Sequence, residues 1–386
     1  MERPMPGRYE VTAVGGEQVR AFTPSPLPPQ PPLNLEGPLL QSLEAASLAL
    51  GRLEAANQLL EPTIFVYSYV RKEAVLSSRI EGTQSSLSDL LLFELDQAPG
   101  VPRDDAAEVS RYVSALEHGL RRLGEGFPLS NRLIRELHGI LLSAGRGASK
   151  EPGEFRRSQN WIGGTRPGNA VFVPPPHLAV PDCMAELELF LHAEADGLPT
   201  LVRAGLAHVQ FETIHPFLDG NGRLGRLLIT LLLCEAGALS QPLLYLSVYL
   251  KKHRDLYYEL LGRVRRTGDW EAWLAFFLRG VQETAENAAA TARRLLERFA
   301  ADRERIAEEG RRAGSALRVH EVFQERPVLS IPEACRRTGL SFPTASAATQ
   351  LLERAGLVRE ITGFARNRVY VYGGYLKILN EGVEDE

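Results

Sequence analysis

The longest apolar stretch of the chain runs from Leu227 to Leu239, about 13 residues, with Glu235 inside it. A helix needs about 20 consecutive apolar residues to cross a bilayer, so this stretch is too short for a membrane span. A helix that is apolar on nearly all sides belongs in the interior of a protein. The sequence therefore predicts that this stretch is a buried helix of a mainly helical fold, and no membrane partner is expected.

A chain of 386 residues is longer than one ordinary hydrophobic core requires, which predicts two or three domains. Residues 1–34 are rich in proline and are predicted to form an extended arm. Apolar residues then recur at helical spacing through most of the chain. Three regions are predicted: an arm and helical region over 1–100, a helical core with a connecting helix over 101–310, and a small unit over 311–386.

Two segments depart from the helical pattern. Residues 146–178 contain glycine-rich turns and three consecutive prolines, and they predict a β-hairpin. Near the C-terminus, three short helices precede two β-like runs at 357–361 and 368–372. That order is typical of a winged helix-turn-helix domain.

Composition narrows the classes of protein that the chain can belong to. The three cysteines, Cys183, Cys234 and Cys335, are widely spaced, so neither a disulfide framework nor a zinc site is indicated. The start of the chain has no apolar signal segment, and a cytoplasmic location is expected. Residues 311–380 hold eleven basic and five acidic residues, a net of +6 on a chain whose total is −4. This charge fits either an anionic partner such as DNA or a solvated arginine-rich surface.

Segment 215–226 reads HPFLDGNGRLGR and carries the residues that phosphate binding requires. Gly220 and Gly222 allow the backbone to approach a ligand closely. The free amides at the start of the following helix face an anion, and the helix dipole favours one. Arg223 and Arg226 lie three residues apart, where both guanidinium groups can bind phosphate oxygens.

The same segment offers a metal ligand and a base. Asp219 supplies a hard oxygen ligand for Mg²⁺, which would bridge phosphates. His215 is a natural proton acceptor near pH 7. A histidine before a proline is more often structural, but all these parts at one spacing indicate transfer chemistry at a nucleotide.

This segment resembles the motif of the Fic family, His-x-Phe-x-(Asp/Glu)-Gly-Asn-Gly-Arg-x-x-Arg, at every fixed position. The resemblance implies a Fic-type helical bundle with a small β-hairpin flap, and AMP transfer from Mg·ATP to a Ser, Thr or Tyr hydroxyl of a target protein or of the chain itself. It implies that His215 is the catalytic base and that Asp219 holds Mg²⁺. The ATP-binding residues that it implies are Gly220, Asn221, Gly222, Arg223, Leu224, Gly225 and Arg226.

A second string, SSRIEG at 77–82, resembles the inhibitory helix of the same family, (Ser/Thr)-x-x-x-Glu-(Gly/Asn). Ser77 and Glu81 share a helix face, and Gly82 can end the helix. The resemblance implies that Glu81 pairs with Arg226 and withholds that arginine from ATP. The regions 1–100, 101–310 and 311–386 then correspond to an arm with the inhibitory helical region, a Fic catalytic core with a connecting helix, and a winged-helix domain.

Further predictions concern the surroundings of the motif. The flap near 160–176 is expected to bind an extended segment of the target protein by strand addition. Tyr258 is expected to border the adenine pocket, although adjacent aromatic residues on a helix are more often core. Gln210 is expected on the nucleotide side.

Several alternatives stay open at this level. Nothing in the sequence excludes transfer of UMP or another group, or Glu81-dependent removal of AMP from a modified protein. A nucleotide-sensing, DNA-binding transcriptional regulator is a third reading. However, Ser341–Ala355, the recognition helix of such a domain, has Arg354 as its one basic residue. It could therefore make few hydrogen bonds to base edges. The target protein and the oligomeric state, including a homodimer, are not determined.

Overall fold

The computed structural model describes residues 5–58, 62–95, 103–145, 147–193, 197–364 and 366–381. The predicted boundary between 1–100 and 101–310 falls outside the described residues. The helices are α1 (Pro38–Gln58), α2 (Pro62–Ile80), α3 (Leu87–Phe93), α4 (Arg103–Gly124), α5 (Asn131–Leu141), α6 (Val180–Leu191), α7 (Thr200–Ile214), α8 (Asn221–Glu235), α9 (Ser247–Lys252), α10 (Arg254–Thr267), α11 (Trp270–Ala307), α12 (Ala313–Glu325), α13 (Ile331–Thr338), α14 (Phe342–Arg354) and α15 (Gly373–Asn380). The strands are β1 (Gly7–Val14), β2 (Glu17–Pro24), β3 (Val328–Ser330), β4 (Arg359–Glu360) and β5 (Val369–Val371).

Helix α8 lies at the centre of the molecule, as the apolar stretch predicts. Leu227, Leu231 and Leu233 are fully buried, and α8 packs against α2, α4, α5 and α7. Glu235 at its end accepts a hydrogen bond from the Leu129 amide at 2.8 Å, which accounts for an acidic residue in an apolar stretch. Within the described residues, no helix is both long and apolar enough to cross a membrane.

The N-terminal arm differs from the extended structure predicted for residues 1–34. Strands β1 and β2 pair antiparallel in register from Gly7↔Pro24 to Val14↔Glu17. Gly15 and Gly16, with φ of 58° and 83°, form the two-residue turn between them. Two glycines suit such a turn because both central positions require positive φ.

The C-terminal unit combines α12, α13 and α14 with a three-stranded sheet in the order β3-β5-β4. The predicted helices and β runs are all present, while the winged-helix assignment itself stays a prediction. Helix α15 follows the sheet and packs on α11. Helix α15 also contacts α2. Ser68 of α2 hydrogen-bonds the Tyr375 hydroxyl at 3.0 Å, and Lys72 donates to the Leu379 carbonyl at 2.7 Å.

Candidate functional site

The segment 215–220 forms the loop between α7 and α8, and its first residue has an unusual backbone. His215 has a φ of 48°, in the left-handed region that few residues other than glycine adopt. Its amide donates to the Phe211 carbonyl at 2.9 Å and ends α7. This turn directs the imidazole out of the helix and into the space before α8.

The side chain of His215 is about one fifth exposed, at 19%. Burial and the nearby Arg265 and Arg156 guanidinium groups lower the pKa of its imidazole to about 3. The ring is therefore neutral at pH 7 and has a lone pair available to accept a proton.

Buried side chains shape the loop from within. Asn221 accepts from the Phe217 amide through Oδ1 and donates to the Phe217 carbonyl through Nδ2, each at 2.9 Å. His138 stacks on the Phe217 ring with centroids 3.7 Å apart. Because His138 Nδ1 accepts from the Gly153 amide at 2.8 Å, its Nε2–H donates to the Asp219 carbonyl at 3.0 Å. The role of Asn221 that the structure displays is to fix the loop, and its contact with ATP stays a prediction.

Asp219 presents a carboxylate beside the start of α8. Its Oδ1 accepts from the Gly220 amide at 2.6 Å and lies 3.7 Å from Arg223 Nη2. The side chain is 36% exposed, so an oxygen is accessible. Among the described residues no group of three or more His, Cys, Asp or Glu side chains could hold a metal. One accessible carboxylate nevertheless fits Mg²⁺, because in nucleotide sites phosphates and water supply most of the ligands.

The two arginines at the start of α8 are buried and held by carboxylates from other helices. Arg223 Nη1 pairs with Glu108 of α4 at 2.5 Å, and both side chains are at most 5% exposed. Arg226 donates from Nη2 to Glu81 Oε1 at 2.7 Å. It also donates from Nε to Ser77 Oγ and from Nη2 to the Ser77 carbonyl, each at 2.9 Å.

Glu81 follows the last residue of α2 and lies over the start of α8. A Cβ atom at Gly222 would collide with Glu81 Oε1, so the carboxylate lies against the glycine turn. Burial opposes ionisation, but the Arg226 guanidinium outweighs it, and the pKa of Glu81 lies below its ordinary value. Gly82, with a φ of 98°, then turns the chain away. A carboxylate therefore occupies the place where the helix start favours an anion.

Comparison with known proteins identifies this arrangement. A model described as "Fic/DOC family" matches residues 128–233, and one described as "Fic/DOC family N-terminal" matches residues 40–121. The chain contains a Fic/DOC domain preceded by a Fic/DOC N-terminal domain. The first match contains the loop with His215, and the second contains the helix with Glu81.

Curated relatives of this Fic chain carry the name protein adenylyltransferase Fic. The Drosophila willistoni protein is 31% identical over 256 residues, which cover 64% of this chain and 47% of that protein. The Culex quinquefasciatus protein is 37% identical over 138 residues, which cover 35% of this chain and 25% of that protein. The chain spans about half the length of the Drosophila relative and about a quarter of the Culex relative.

Solved structures show that the fold is shared. A Fic family protein from Desulfovibrio desulfuricans G20 superposes with a TM-score of 0.59 at 22% identity, covering 89% of this chain and 98% of that one. A Fic domain containing signaling protein from Bacteroides thetaiotaomicron gives a TM-score of 0.52 at 20% identity, covering 65% and 95%. The predicted fold class, a mainly α Fic-type bundle with a small hairpin, is confirmed.

Other predicted residues of the Fic site occupy different surroundings. Leu224 is fully buried in the core. Gly225 faces Glu212 of α7, because a Cβ atom there would lie 2.5 Å from Glu212 Oε1. Tyr258 is 42% exposed, and burial together with the Glu81 carboxylate raises the pKa of its hydroxyl. Gln210 donates to the Ser25 carbonyl at 2.9 Å, so its side chain holds the N-terminal arm.

The predicted hairpin at 160–176 is present as one bridge, Ile162↔Phe172, in an otherwise irregular loop. Strand β2 lies along it, with the Phe22 amide donating to the Val173 carbonyl at 2.9 Å. Glu17 accepts from the Gly168 amide at 2.6 Å and pairs with Arg166. The N-terminal hairpin thus covers part of the flap.

Sequence reasoning missed several residues that build this site. Arg156 is buried and donates to the His215 carbonyl at 3.0 Å and to the Pro175 carbonyl at 2.6 Å. His138 and Glu108 support the loop and Arg223, as described above. The sequence assigned none of the three this supporting role, since each acts through contacts between segments distant in the chain.

Proposed function

We propose that the chain is a protein adenylyltransferase that transfers AMP from ATP to a hydroxyl of a target protein or of itself, and that Glu81 restrains it. The observation that carries this proposal is the Glu81 carboxylate seated between Gly222 and Arg226. An acidic side chain at that place mimics a bound phosphate and shares the donors that ATP would use.

The proposed roles follow from position. His215 removes the proton from the acceptor hydroxyl, the acceptor oxygen bonds to the α-phosphorus, and the bond to the bridging β-phosphate oxygen breaks to release pyrophosphate. The amides of Gly220, Asn221 and Gly222 bind the phosphates, and Arg226 takes the γ-phosphate. Mg²⁺ held by Asp219 would neutralise phosphate charge when bound. Arg223, held by Glu108, contributes positive charge beside it.

Inhibition follows from the same geometry. While Glu81 pairs with Arg226, the guanidinium is engaged and a carboxylate repels the incoming triphosphate. Replacing Glu81 with glycine removes both effects. The Glu81→Gly form is therefore expected to label itself strongly with AMP, and wild type only faintly.

The experiment incubates wild type, Glu81→Gly and Glu81→Gly/His215→Ala with Mg²⁺ and ATP labelled at the α-phosphate. Strong label on Glu81→Gly and none on the double variant would support AMP transfer, the role of His215 as the base and the role of Glu81 as the inhibitor. ATP labelled at the γ-phosphate is the matched control, since label from it would indicate phosphate transfer instead. UTP and CTP, followed by cell lysate as a source of targets, separate a different nucleotide from a missing acceptor.

Absence of protein-bound label from every nucleotide and with lysate would reject the proposal. Reverse activity has its own assay, in which AMP-labelled protein is mixed with wild type and with Glu81→Gly. Release of AMP that does not depend on Glu81 would reject the de-AMPylation alternative.

We also propose the division into an arm with the inhibitory helical region, a Fic core and a C-terminal winged-helix domain. The exposed Arg366 and Arg368 beside α14, whose Phe342 is 59% exposed, support a role for the last unit in binding an anionic partner such as DNA. A gel shift over a salt series tests this, because phosphate contacts weaken steeply with salt. No shift at the lowest salt would exclude DNA and leave a protein partner.

A further inference from the structure

Glu212 is a buried carboxylate one turn before His215 on α7. It is 6% exposed, and its Oε2 lies 3.9 Å from His215 Nδ1. Its other oxygen, Oε1, has no hydrogen-bond partner among the described residues. His215 Nδ1 has no hydrogen bond of good geometry there either, and the Glu212 backbone lies close enough to the ring to favour its protonated form. An incompletely satisfied buried carboxylate is costly, and such groups gather at functional sites.

The fold makes room for this carboxylate at one particular place. Gly225 of α8 faces it, and a Cβ atom there would lie 2.5 Å from Oε1. Arg265 of α10 holds the Glu212 backbone, donating from Nη2 to its carbonyl at 3.0 Å and from Nε to Thr213 Oγ1 at 3.2 Å. Helix α7 is thus anchored in the register that points Glu212 towards His215.

The charges around His215 explain what a carboxylate would do there. Arg265 and Arg156 both disfavour a proton on the imidazole, whereas Glu81 favours one. Proton transfer from the acceptor to His215 creates an imidazolium, and in the proposed reaction Glu81 has by then left. Glu212 is the carboxylate that stays beside the ring on its own helix.

We propose that Glu212 is a positioning residue for His215. Its carboxylate faces Nδ1, holds the tautomer with the proton on Nδ1, leaves Nε2 to the acceptor hydroxyl and offsets the charge of the imidazolium. This inference rests on the proposed transfer reaction. In the Ser-His-Asp enzymes a buried aspartate does the same for the histidine base. That aspartate fixes the tautomer of the imidazole and does not itself become protonated.

Ionisation of Glu212 gives the inference a pH signature. Burial raises the pKa of its carboxyl to about 7, against the opposing influence of Arg226 and with the support of Glu81. The groups that face it or His215 are Arg226 of α8, Tyr257, Tyr258 and Arg265 of α10, Glu81 after α2, and Arg156 of the loop. The rate of transfer should therefore rise as pH increases through about 7, because the ionised form is the one that supports the base.

The kinetic test uses Glu81→Gly as the background and compares Glu212→Gln with Glu212→Asp. The single-turnover rate of self-labelling should fall about 10- to 100-fold in the glutamine variant, and the ATP concentration at half-maximal rate should be unchanged. The rise with pH lies below 7 in this background, because Glu81 no longer helps to raise the pKa of Glu212, and it should disappear in the glutamine variant. The aspartate variant keeps the charge and should retain more of the rate. Glu73→Gln is the matched control, since Glu73 is a buried carboxylate of α2 with a pKa of about 7 that binds Ser247. It should keep the pH dependence.

A second readout does not depend on activity. Nitrogen NMR of the histidine rings at neutral pH, with His215 assigned by its loss in His215→Ala, should show the proton on Nδ1 in Glu81→Gly and a shift towards Nε2 in Glu81→Gly/Glu212→Gln. An unchanged tautomer, or the same rate and pH profile in the glutamine variant, would overturn the inference. If Glu81→Gly takes up no label at all, the transfer proposal fails while the ring spectrum still decides the role of Glu212.

Discussion

At the scale of single residues, each arginine at the start of α8 is held by a carboxylate from a distant part of the chain, Arg226 by Glu81 and Arg223 by Glu108. The contact of Arg226 with Glu81 was expected from the resemblance and is present at 2.7 Å. The partner of Arg223 was not expected. Glu108 is one of several carboxylates on α4, and only the packing of α4 against α8 brings it to the arginine. Contacts between segments that are distant in the chain leave no pattern in the local sequence.

Loss of the charge at Glu108 should be costly. Glu108→Gln leaves buried Arg223 with Asp219, 3.7 Å away, as its remaining counter-charge, and removal of one partner of a buried ion pair costs about 3 kcal/mol. Chemical denaturation should show that loss, and in the Glu81→Gly background ATP should bind more weakly. Glu117→Gln is the control on the same helix, because Glu117 is 59% exposed and lies 3.8 Å from Arg71. A change below about 1 kcal/mol is expected there, and equal losses in both variants would contradict the role given to Glu108.

At the scale of elements, the helical pattern of most of the chain and the three short helices near the C-terminus are present, whereas α15 and part of the β structure were not foreseen. The flap ladder stops at one bridge because Pro174, Pro175 and Pro176 follow it, and prolines have no amide hydrogen to continue it. The β1–β2 hairpin was missed because the prolines after residue 23 dominated the interpretation of the whole arm. Two glycines between alternating runs were the signal that would have revealed it.

The irregular loop of the flap depends on Arg156. Arg156→Lys retains the charge but cannot span the carbonyls of His215, Pro175 and Ser158 that the guanidinium holds. We expect a loss of about 2 kcal/mol in unfolding free energy from unsatisfied carbonyls, and slower self-labelling in the Glu81→Gly background. Arg157→Lys, whose side chain is 77% exposed, is the matched control and should change neither quantity. Normal labelling in Arg156→Lys would show that the loop keeps its shape without this arginine.

At the scale of the whole molecule, the C-terminal unit contacts α2, the helix that ends directly before Glu81. Ser68 and Lys72 of α2 contact residues 307 positions further along the chain. Tyr372 donates to Asp302 Oδ2 of α11 at 2.5 Å, and His320 Nε2 lies 3.2 Å from the same hydroxyl. The order of elements in this unit was predictable from the sequence. Its seat on α2 was not, since the contacting residues are neighbours only in the folded chain.

Buried neutral histidines should make the fold sensitive to acid. Burial lowers the pKa of His138, His208, His215 and His320 to about 3 or 4. Unfolded histidine takes up a proton below about 6.5, so the unfolded state binds more protons than the folded one as pH falls from 6.5 towards 4, and stability is lost over that window. Glu73 and Glu212 oppose this, because a carboxyl whose folded pKa is raised to about 7 favours the folded state as pH falls from 7.

The histidine contribution can be isolated at His320, which is 1% exposed. Because the pKa of His320 is lowered in the folded state, its contribution to the free energy of unfolding should be about 2 kcal/mol smaller at pH 5 than at pH 7. Thermal unfolding of wild type at pH 7 and pH 5 should show a fall in midpoint, and His320→Gln should show a smaller one. His192→Gln, at an exposed position, is the control and should fall as wild type does. An equal fall in His320→Gln would contradict the assignment.

Among the described residues, Arg226 donates two hydrogen bonds to Ser77 and one to Glu81. Removal of Glu81 therefore leaves the guanidinium held by the hydroxyl and the carbonyl of Ser77. An incoming phosphate then meets a donor that is already ordered, with little side-chain entropy left to lose. In the proposed reaction, Glu81 sets the strength of inhibition, while Ser77 keeps Arg226 in place to bind phosphate. A substitution at position 81 can therefore change the inhibition without disturbing the arrangement of Arg226.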